Sequence, residues 1–278
     1  MDRVTLAVGS ESRGYLLAAP PAAKNPPLVV FLHGKGGTAA WADGETGWSA
    51  LAAAAGFALA LPEAARPHPE LPPKFLANPQ RWNDGSGEPP LTDDISFLRA
   101  VIDDAVDHAG ADPRRVYVTG FSNGAAMAFR AAAELANQVA AVAPVAGYCR
   151  VPAGAKPARP VPTLYLIGGA DPLVPPRGGD VRSPWGHRIV RRRPVAETLD
   201  RWAAALGCGR PVVESDAGGV RTDVYPGRVE FRAVEIAGLG HHWPGGKGQF
   251  DHRTAGPPSD VFDATAAVWQ FFQRHTRR

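Results

Sequence analysis

The run Val116-Tyr117-Val118-Thr119-Gly120-Phe121-Ser122-Asn123-Gly124, followed by Ala125-Ala126-Met127-Ala128-Phe129-Arg130-Ala131, constrains the fold of this chain more than any other stretch. β-Branched and aromatic residues favour a strand, and the alanine-rich continuation favours a helix. Between them, Gly-x-Ser-x-Gly reads as a sharp strand-to-helix turn that holds its central residue in strained backbone geometry. Only small flanking residues let strand and helix approach closely enough, which explains Gly120 and Gly124. The turn exposes the Ser122 hydroxyl as a candidate nucleophile; the bland alternative is a tight turn that happens to carry a serine.

The flanking sequence repeats the same alternation. Continuous apolar runs at residues 28–32, 57–61, 139–145 and 163–167 have the character of strands covered on both faces. Helical patterns at residues 46–55, after the cap Thr92-Asp93-Asp94, after Ser122 and from Pro194 separate them. Alternating strands and helices predict an α/β fold with a mostly parallel, doubly wound sheet and helices on both faces. A hairpin at residues 4–8 and 15–19 is expected at the sheet edge. Strands at 220–225 and 229–236 and a closing helix from about Ser259 are expected near the end. Residues 63–91 and 177–193 lack periodicity and read as long irregular segments, of the kind that is usually functional. With 278 residues and no compositional break, the chain is expected to be one catalytic domain, residues 1–278.

Two further residues follow strand ends. Asp171, in Gly168-Gly169-Ala170-Asp171-Pro172, is placed to orient a histidine, though an aspartate there also caps turns through its own side chain. His241 follows Gly238-Leu239-Gly240, a turn that projects the next residue from a strand. Its neighbour His242 competes for the base position and is otherwise a substrate-binding candidate. The order Ser122, Asp171, His241 is that of α/β-hydrolases. The chemistry requires these types. A serine hydroxyl needs an imidazole to take its proton, and the imidazole needs a carboxylate to fix its tautomer. The oxyanion needs fixed donors, and the backbone N–H groups of Asn123 and of Lys35, in the glycine-rich loop His33-Gly34-Lys35-Gly36-Gly37, are the candidates. His33 itself reads as structural. Trp82 and Asn83 in the first irregular segment and Trp185 in the second are candidates for substrate contact, with the equal alternative that Trp82 pins its loop to the core.

Other function classes fit poorly. The formal charge of +3 arises from scattered arginines, not a basic stripe interleaved with aromatics, so no nucleic-acid partner is expected. No apolar run reaches membrane-spanning length, and no membrane partner is expected. The loop after residue 32 lacks the phosphate-binding Gly-x-x-x-x-Gly-Lys-Ser/Thr pattern. The cluster His241, His242, Asp251 and His252 lacks metal-ligand spacing, so no metal is expected. Met1-Asp2-Arg3 opens no signal peptide. The expected location is therefore the cytoplasm, or outside the cell after removal of a leader. Cys149 and Cys208 are the only cysteines, and sequence leaves a bridge between them open.

Leu32-His33-Gly34-x-Gly-Gly, Trp82-Asn83-Asp84, Gly120-Phe121-Ser122-Asn123-Gly124, Gly168-Gly169-Ala170-Asp171-Pro172 and Gly240-His241-His242-Trp243-Pro244-Gly245 resemble the esterases of the polyhydroxybutyrate depolymerase, feruloyl esterase and acetylxylan esterase group. The resemblance extends through Asp112-Pro113-Arg114-Arg115-Val116-Tyr117 to Phe262-Asp263-Ala264-Thr265. It implies a cofactor-free α/β-hydrolase and a Ser-His-Asp carboxylic ester hydrolase that forms an acyl-enzyme. The implied substrates are small or oligomeric esters: feruloyl or acetyl sugar esters, or hydroxyalkanoates. It also favours His241 as the base. Relatives often carry a cysteine able to pair with one matching Cys208, where this chain has Arg228. A peptidase or amidase on the same fold, and a non-catalytic binding protein, are the alternatives.

Overall fold

The computed structural model describes every residue except Ser10, Pro21, Ala22, Gly186 and His187. Its frame is a ten-stranded sheet. In chain order the first strands are β1 (Asp2–Val8), β2 (Glu11–Ala18), β3 (Leu28–Leu32), β4 (Ala58–Pro62), β5 (Val116–Phe121) and β6 (Ala141–Val145). They are followed by β7 (Thr163–Gly168), β8 (Gly179–Arg182), β9 (Ile189–Arg192), β10 (Val212–Ala217), β11 (Val220–Val224) and β12 (Phe231–Ile236). The helices are α1 (Ala39–Thr46), α2 (Trp48–Ala55), α3 (Asp94–Ala109), α4 (Asn123–Glu134), α5 (Val195–Leu206), α6 (His252–Ala255) and α7 (Ala264–Gln273). The sheet order is β1-β2-β4-β3-β5-β6-β7-β12-β11-β10, with β8 and β9 forming a separate two-stranded ribbon.

The six central strands, from β4 through β12, pair in parallel, and both flanks pair antiparallel. Every residue of β3, β4, β5, β6 and β7 is buried, as a sheet covered on both faces requires. Helix α3 packs on α4, and α2 packs on α7. The opposite extreme is β10, exposed along its whole length. Its polar stretch Glu214-Ser215-Asp216 suits an open edge that must not recruit another strand.

Several elements differ from the sequence expectation. The helix expected at residues 46–55 is α2, which starts two residues later at Trp48; a helix with no sequence expectation, α1, precedes it and ends where Gly47 takes a left-handed φ of 71°. The Asp43 carboxylate then accepts from the Ser49 N–H and hydroxyl at 2.8 Å each, which starts α2 afresh. The closing helix begins at Ala264, not near Ser259, because the Asp263 side chain caps it by accepting from the Ala266 N–H. Strand β10 shows no apolar pattern in the sequence because nothing in it is buried, and β8 and β9 take up eight of the seventeen residues of the segment 177–193 that reads as irregular.

Segment 63–91 is irregular, yet its own polar groups hold it. The Asn78 amide accepts from the His68 N–H at 3.0 Å and donates to the His68 carbonyl at 3.0 Å. Its inner end meets a buried ion pair of Arg13 and Asp94, 2.5 Å apart, and the second Asp94 oxygen accepts from the Asn83 N–H at 2.6 Å. Asp93, not Asp94, therefore caps α3.

The tightest packing lies where β3, β5 and α4 converge. A Cβ on Gly124 would stand 2.1 Å from the Leu32 carbonyl oxygen, and one on Gly120 2.6 Å from the Gly124 oxygen. Neither obstacle is a movable side chain. Gly124→Ala is expected to destabilise the protein by about 2–3 kcal/mol through forced separation of strand and helix, read as a lowered urea midpoint.

Candidate active site

Ser122 stands at the turn from β5 into α4 with φ 56° and ψ −113°, a conformation that L-residues with a side chain rarely adopt. The surroundings hold it there: the Ser122 N–H donates to the Val145 carbonyl at 2.8 Å, and the Ser122 carbonyl accepts from the Ala126 N–H at 3.1 Å. Gly147 completes the support, because a Cβ there would come within 2.3 Å of the Ser122 carbonyl oxygen.

Asp171 follows β7 and His241 follows β12, and these two strands are paired in parallel. His241 Nδ1 lies 2.7 Å from Asp171 Oδ2, and His241 Nε2 lies 2.9 Å from Ser122 Oγ. The other Asp171 oxygen accepts from the Leu173 and Val174 N–H groups at 2.8 and 2.7 Å. The carboxylate is thus buried, locally anchored and left with one oxygen for the imidazole. Glycines again permit the approach. A Cβ on Gly168 would meet the Leu239 oxygen at 2.2 Å, and one on Gly240 would meet the Ala255 oxygen at 2.2 Å.

His242 points elsewhere. Its ring is buried, and Nε2 contacts the Gly256 carbonyl at 2.9 Å, outside the lining of the cleft. Burial pushes its pKa down. Among the described residues, no three His, Cys, Asp or Glu side chains converge as metal ligands would.

Helix α4 opens with the Asn123 N–H, and the Lys35 N–H lies in the loop after β3. Neither donates to a protein acceptor among the described residues. The Asn123 side chain has separate work: it accepts from the Trp82 N–H at 2.8 Å and donates to the Trp82 carbonyl at 3.2 Å. This clasp, which sequence reasoning missed, ties segment 63–91 to the elbow. His33 shapes the Lys35 loop from below. Its Nε2 accepts from the Ala64 N–H at 3.1 Å, so Nδ1 carries the proton and donates to the Gly34 carbonyl at 2.8 Å. Burial, the largest cause, holds the His33 pKa below its ordinary value, partly offset by the nearby Glu63 carboxylate.

The substrate-contact candidates divide. Trp82 is fully buried, donates from Nε1 to the His33 carbonyl at 2.9 Å and stacks with Phe97, so it packs the loop and does not face the cleft. Asn83 is likewise turned away, its amide donating to the Thr92 carbonyl at 2.9 Å. Trp185 does line the cleft. Its Nε1 donates to the Phe75 carbonyl at 2.9 Å, and Lys35 Nζ lies 4.5 Å from its ring centre. The cleft, about 760 Å³, has Ser122 and His241 on its wall together with Phe75, Phe121, Trp185 and Phe250. Tyr148, Arg150 and Arg192 also line it, and the sequence offers no signal that the loop after β6 and strand β9 meet there.

Both cysteines are free thiols, and burial pushes Cys149 up to about 12. No helix among the described residues is long and apolar enough to cross a membrane.

The profile of a family described as Esterase PHB depolymerase matches residues 13–155. "Putative esterase NocK" of Nocardia uniformis subsp. tsuyamanensis is 34% identical over 270 residues, covering 89% of this chain and 75% of that protein. "Feruloyl esterase B" of Piromyces equi is 32% identical over 193 residues, covering 62% of this chain and 33% of that protein. The chain thus spans three quarters of one relative and a third of the other. Among solved structures, an acetyl xylan esterase from Aspergillus awamori superposes with a TM-score of 0.63 at 18% identity, covering 87% of this chain and 94% of that one. That likeness places the chain in the α/β-hydrolase fold.

Two outcomes are expected. Trp82→Phe removes the N–H that satisfies the His33 carbonyl and is expected to cost about 1–3 kcal/mol in urea unfolding. His33 is held neutral in the folded chain, whereas the unfolded chain protonates it near pH 6.5. The unfolded state therefore takes up the extra proton as the pH falls below that value, and stability declines on acidification. Urea midpoints between pH 7.5 and 5.5 should fall for the wild type and fall less for His33→Gln.

Proposed function

The chain belongs to the Esterase PHB depolymerase family of carboxylic ester hydrolases, and from that membership we propose that ester cleavage runs through Ser122, His241 and Asp171 with an acyl-enzyme intermediate. The observation that carries the reading is the line of hydrogen bonds from Asp171 through His241 to Ser122, at 2.7 and 2.9 Å, ending at a cleft.

Ser122 Oγ attacks the ester carbonyl carbon while its proton passes to His241 Nε2. Asp171 keeps the other proton on Nδ1 and stabilises the imidazolium. The negative charge that develops on the carbonyl oxygen accepts hydrogen bonds from the Asn123 and Lys35 N–H groups, each donor contributing about 3 kcal/mol to lowering the barrier. The C–O bond to the alcohol then breaks, His241 returns the proton to the departing oxygen, and the acyl group stays on Ser122. Water, deprotonated by the same imidazole, attacks the acyl carbon; the bond to Ser122 Oγ then breaks, His241 returns the proton to that oxygen, and the carboxylic acid leaves.

The substrates are soluble esters with an apolar acyl portion: feruloyl or acetyl sugar esters, or hydroxyalkanoate oligomers. The aromatic wall of Phe75, Phe121, Trp185 and Phe250 supports this class, as do the names of the relatives.

Ser122→Ala is expected to lower kcat on p-nitrophenyl acetate by about ten-thousandfold or more, with an unchanged circular dichroism spectrum. Wild-type turnover by that variant would overturn the reading, and turnover of matched anilides as fast as esters would replace it with an amidase. A panel of methyl ferulate, acetylated sugars and 3-hydroxybutyrate oligomers ranks the acyl groups.

A further inference from the structure

One wall of the cleft carries more positive charge than its neighbours neutralise. After β6 the chain runs Val145, Ala146, Gly147, Tyr148, with Ala146 at φ 54° and Gly147 against the Ser122 carbonyl. This route brings Tyr148 beside the elbow. The Arg150 guanidinium carbon stands 5.9 Å from the Tyr148 ring centre, and that of Arg192, from the β8–β9 ribbon, stands 5.8 Å from it. Two like charges therefore share one aromatic ring at the cleft wall.

Their counter-ions are few and already engaged. Asp84 lies 3.2 Å from Arg150 Nε but also 3.3 Å from Arg81, and Glu88 is shared between Lys35 at 3.7 Å and Arg81 at 3.5 Å. Arg192 forms no ion pair and donates no side-chain hydrogen bond to the protein among the described residues. Arg192 Nε is buried without a hydrogen-bond partner, and so is the Tyr148 hydroxyl, whereas Arg150 Nε faces only the shared Asp84 carboxylate. Burial together with the neighbouring Arg150 charge lowers the Arg192 pKa, although a guanidinium stays protonated. The folded protein thus keeps two guanidinium groups and a phenol O–H together at some electrostatic cost, within the cleft that holds Ser122. An anion with a planar pair of oxygens is the ligand whose geometry and charge offset that cost.

We propose that Tyr148, Arg150 and Arg192 form a carboxylate subsite, so that this esterase selects esters bearing a free carboxylate over neutral ones of the same length. The assignment deepens the serine-esterase reading and rests on it for the hydrolytic step alone. Guanidinium groups bind the carboxylate through charge-assisted N–H···O bonds, and the Tyr148 hydroxyl adds a donor. The carboxylate belongs to either half of the ester, acyl or alcohol, and the test separates these sources.

The kinetic test compares mono-p-nitrophenyl glutarate with p-nitrophenyl butyrate for the acyl half, and 4-acetoxybenzoate with phenyl acetate for the alcohol half. Wild type is expected to favour the charged member of one pair. Arg192→Met should reduce that preference, as a ratio of kcat/KM values, by tenfold or more, with the loss in KM, and Arg192→Lys should recover part of it. Raising the salt concentration should erode the wild-type preference. The proposal is overturned if wild type favours the neutral ester in both pairs, or if Arg192→Met leaves both ratios unmoved. A binding measurement keeps this question apart from catalysis. Calorimetry of Ser122→Ala should show monomethyl glutarate bound more tightly than methyl butyrate, and the added Arg192→Met change should abolish the difference. Equal binding of these two esters, together with equal binding of 4-acetoxybenzoate and phenyl acetate, would sink the subsite. If wild type hydrolyses no ester at all, the esterase reading falls while this titration still decides the subsite.

Discussion

Three carbonyl oxygens govern the architecture of this protein. Those of Leu32, Ser122 and Leu239 stand where a methyl group on Gly124, Gly147 or Gly168 would collide with them at 2.1 to 2.3 Å. Backbone here packs on backbone with no side chain between, and that is why Ser122, Asp171 and His241 converge at one sheet edge. Interiors have little capacity to yield at such contacts. The strain at Ser122, and at Ala146 just past the end of β6, persists because hydrogen bonds between Ser122 and both Val145 and Ala126, and from the Ala146 N–H to the Leu166 carbonyl, hold both residues.

Around this rigid edge the long segment 63–91 is attached by polar groups. Asn123, Arg13, Asp94 and Asn78 each satisfy backbone groups of the segment or of its anchor points. Trp82 provides the apolar counterpart, lying against His33 and Phe97. Such fastening solves a general problem, since an irregular chain close to a core must find partners for its N–H and C=O groups. It also lets Lys35 and Gly36 hold their positions beside Ser122, with the Gly36 N–H donating to the Gln80 carbonyl at 2.8 Å.

The features of this molecule that a linear reading reaches are those whose cause is local. The elbow, the buried apolar runs and the caps each carry their reason within a few residues, so strand and helix alternation leads to the fold class. The order Ser122, Asp171, His241 adds the candidate site because each follows a strand end. What escapes is non-local. Trp82 reads equally as a substrate contact and as a residue that pins its loop, and only its burial against Phe97 and the His33 carbonyl decides for packing. Gly47 carries no mark that separates a helix break from a tolerated glycine. The meeting of Arg150 with Arg192 depends on a ribbon folding back across the cleft from more than forty positions away, and the exposed β10 has no apolar pattern to betray it.

The insertion of β12 beside β7 has a consequence for the life of the chain. Asp171 is made some seventy residues before His241, yet their side chains meet at 2.7 Å, because β12 lies parallel to β7 and between it and β11. Pairing at that sequence separation is slow to form compared with the local β5-to-α4 turn. A growing polypeptide therefore carries Ser122 long before His241 exists to reach it. On the proposed mechanism it stays silent toward esters until its final third has been synthesised and docked. Assembly of the line from Asp171 through His241 to Ser122 is in this sense a readout of completed folding, imposed by strand order.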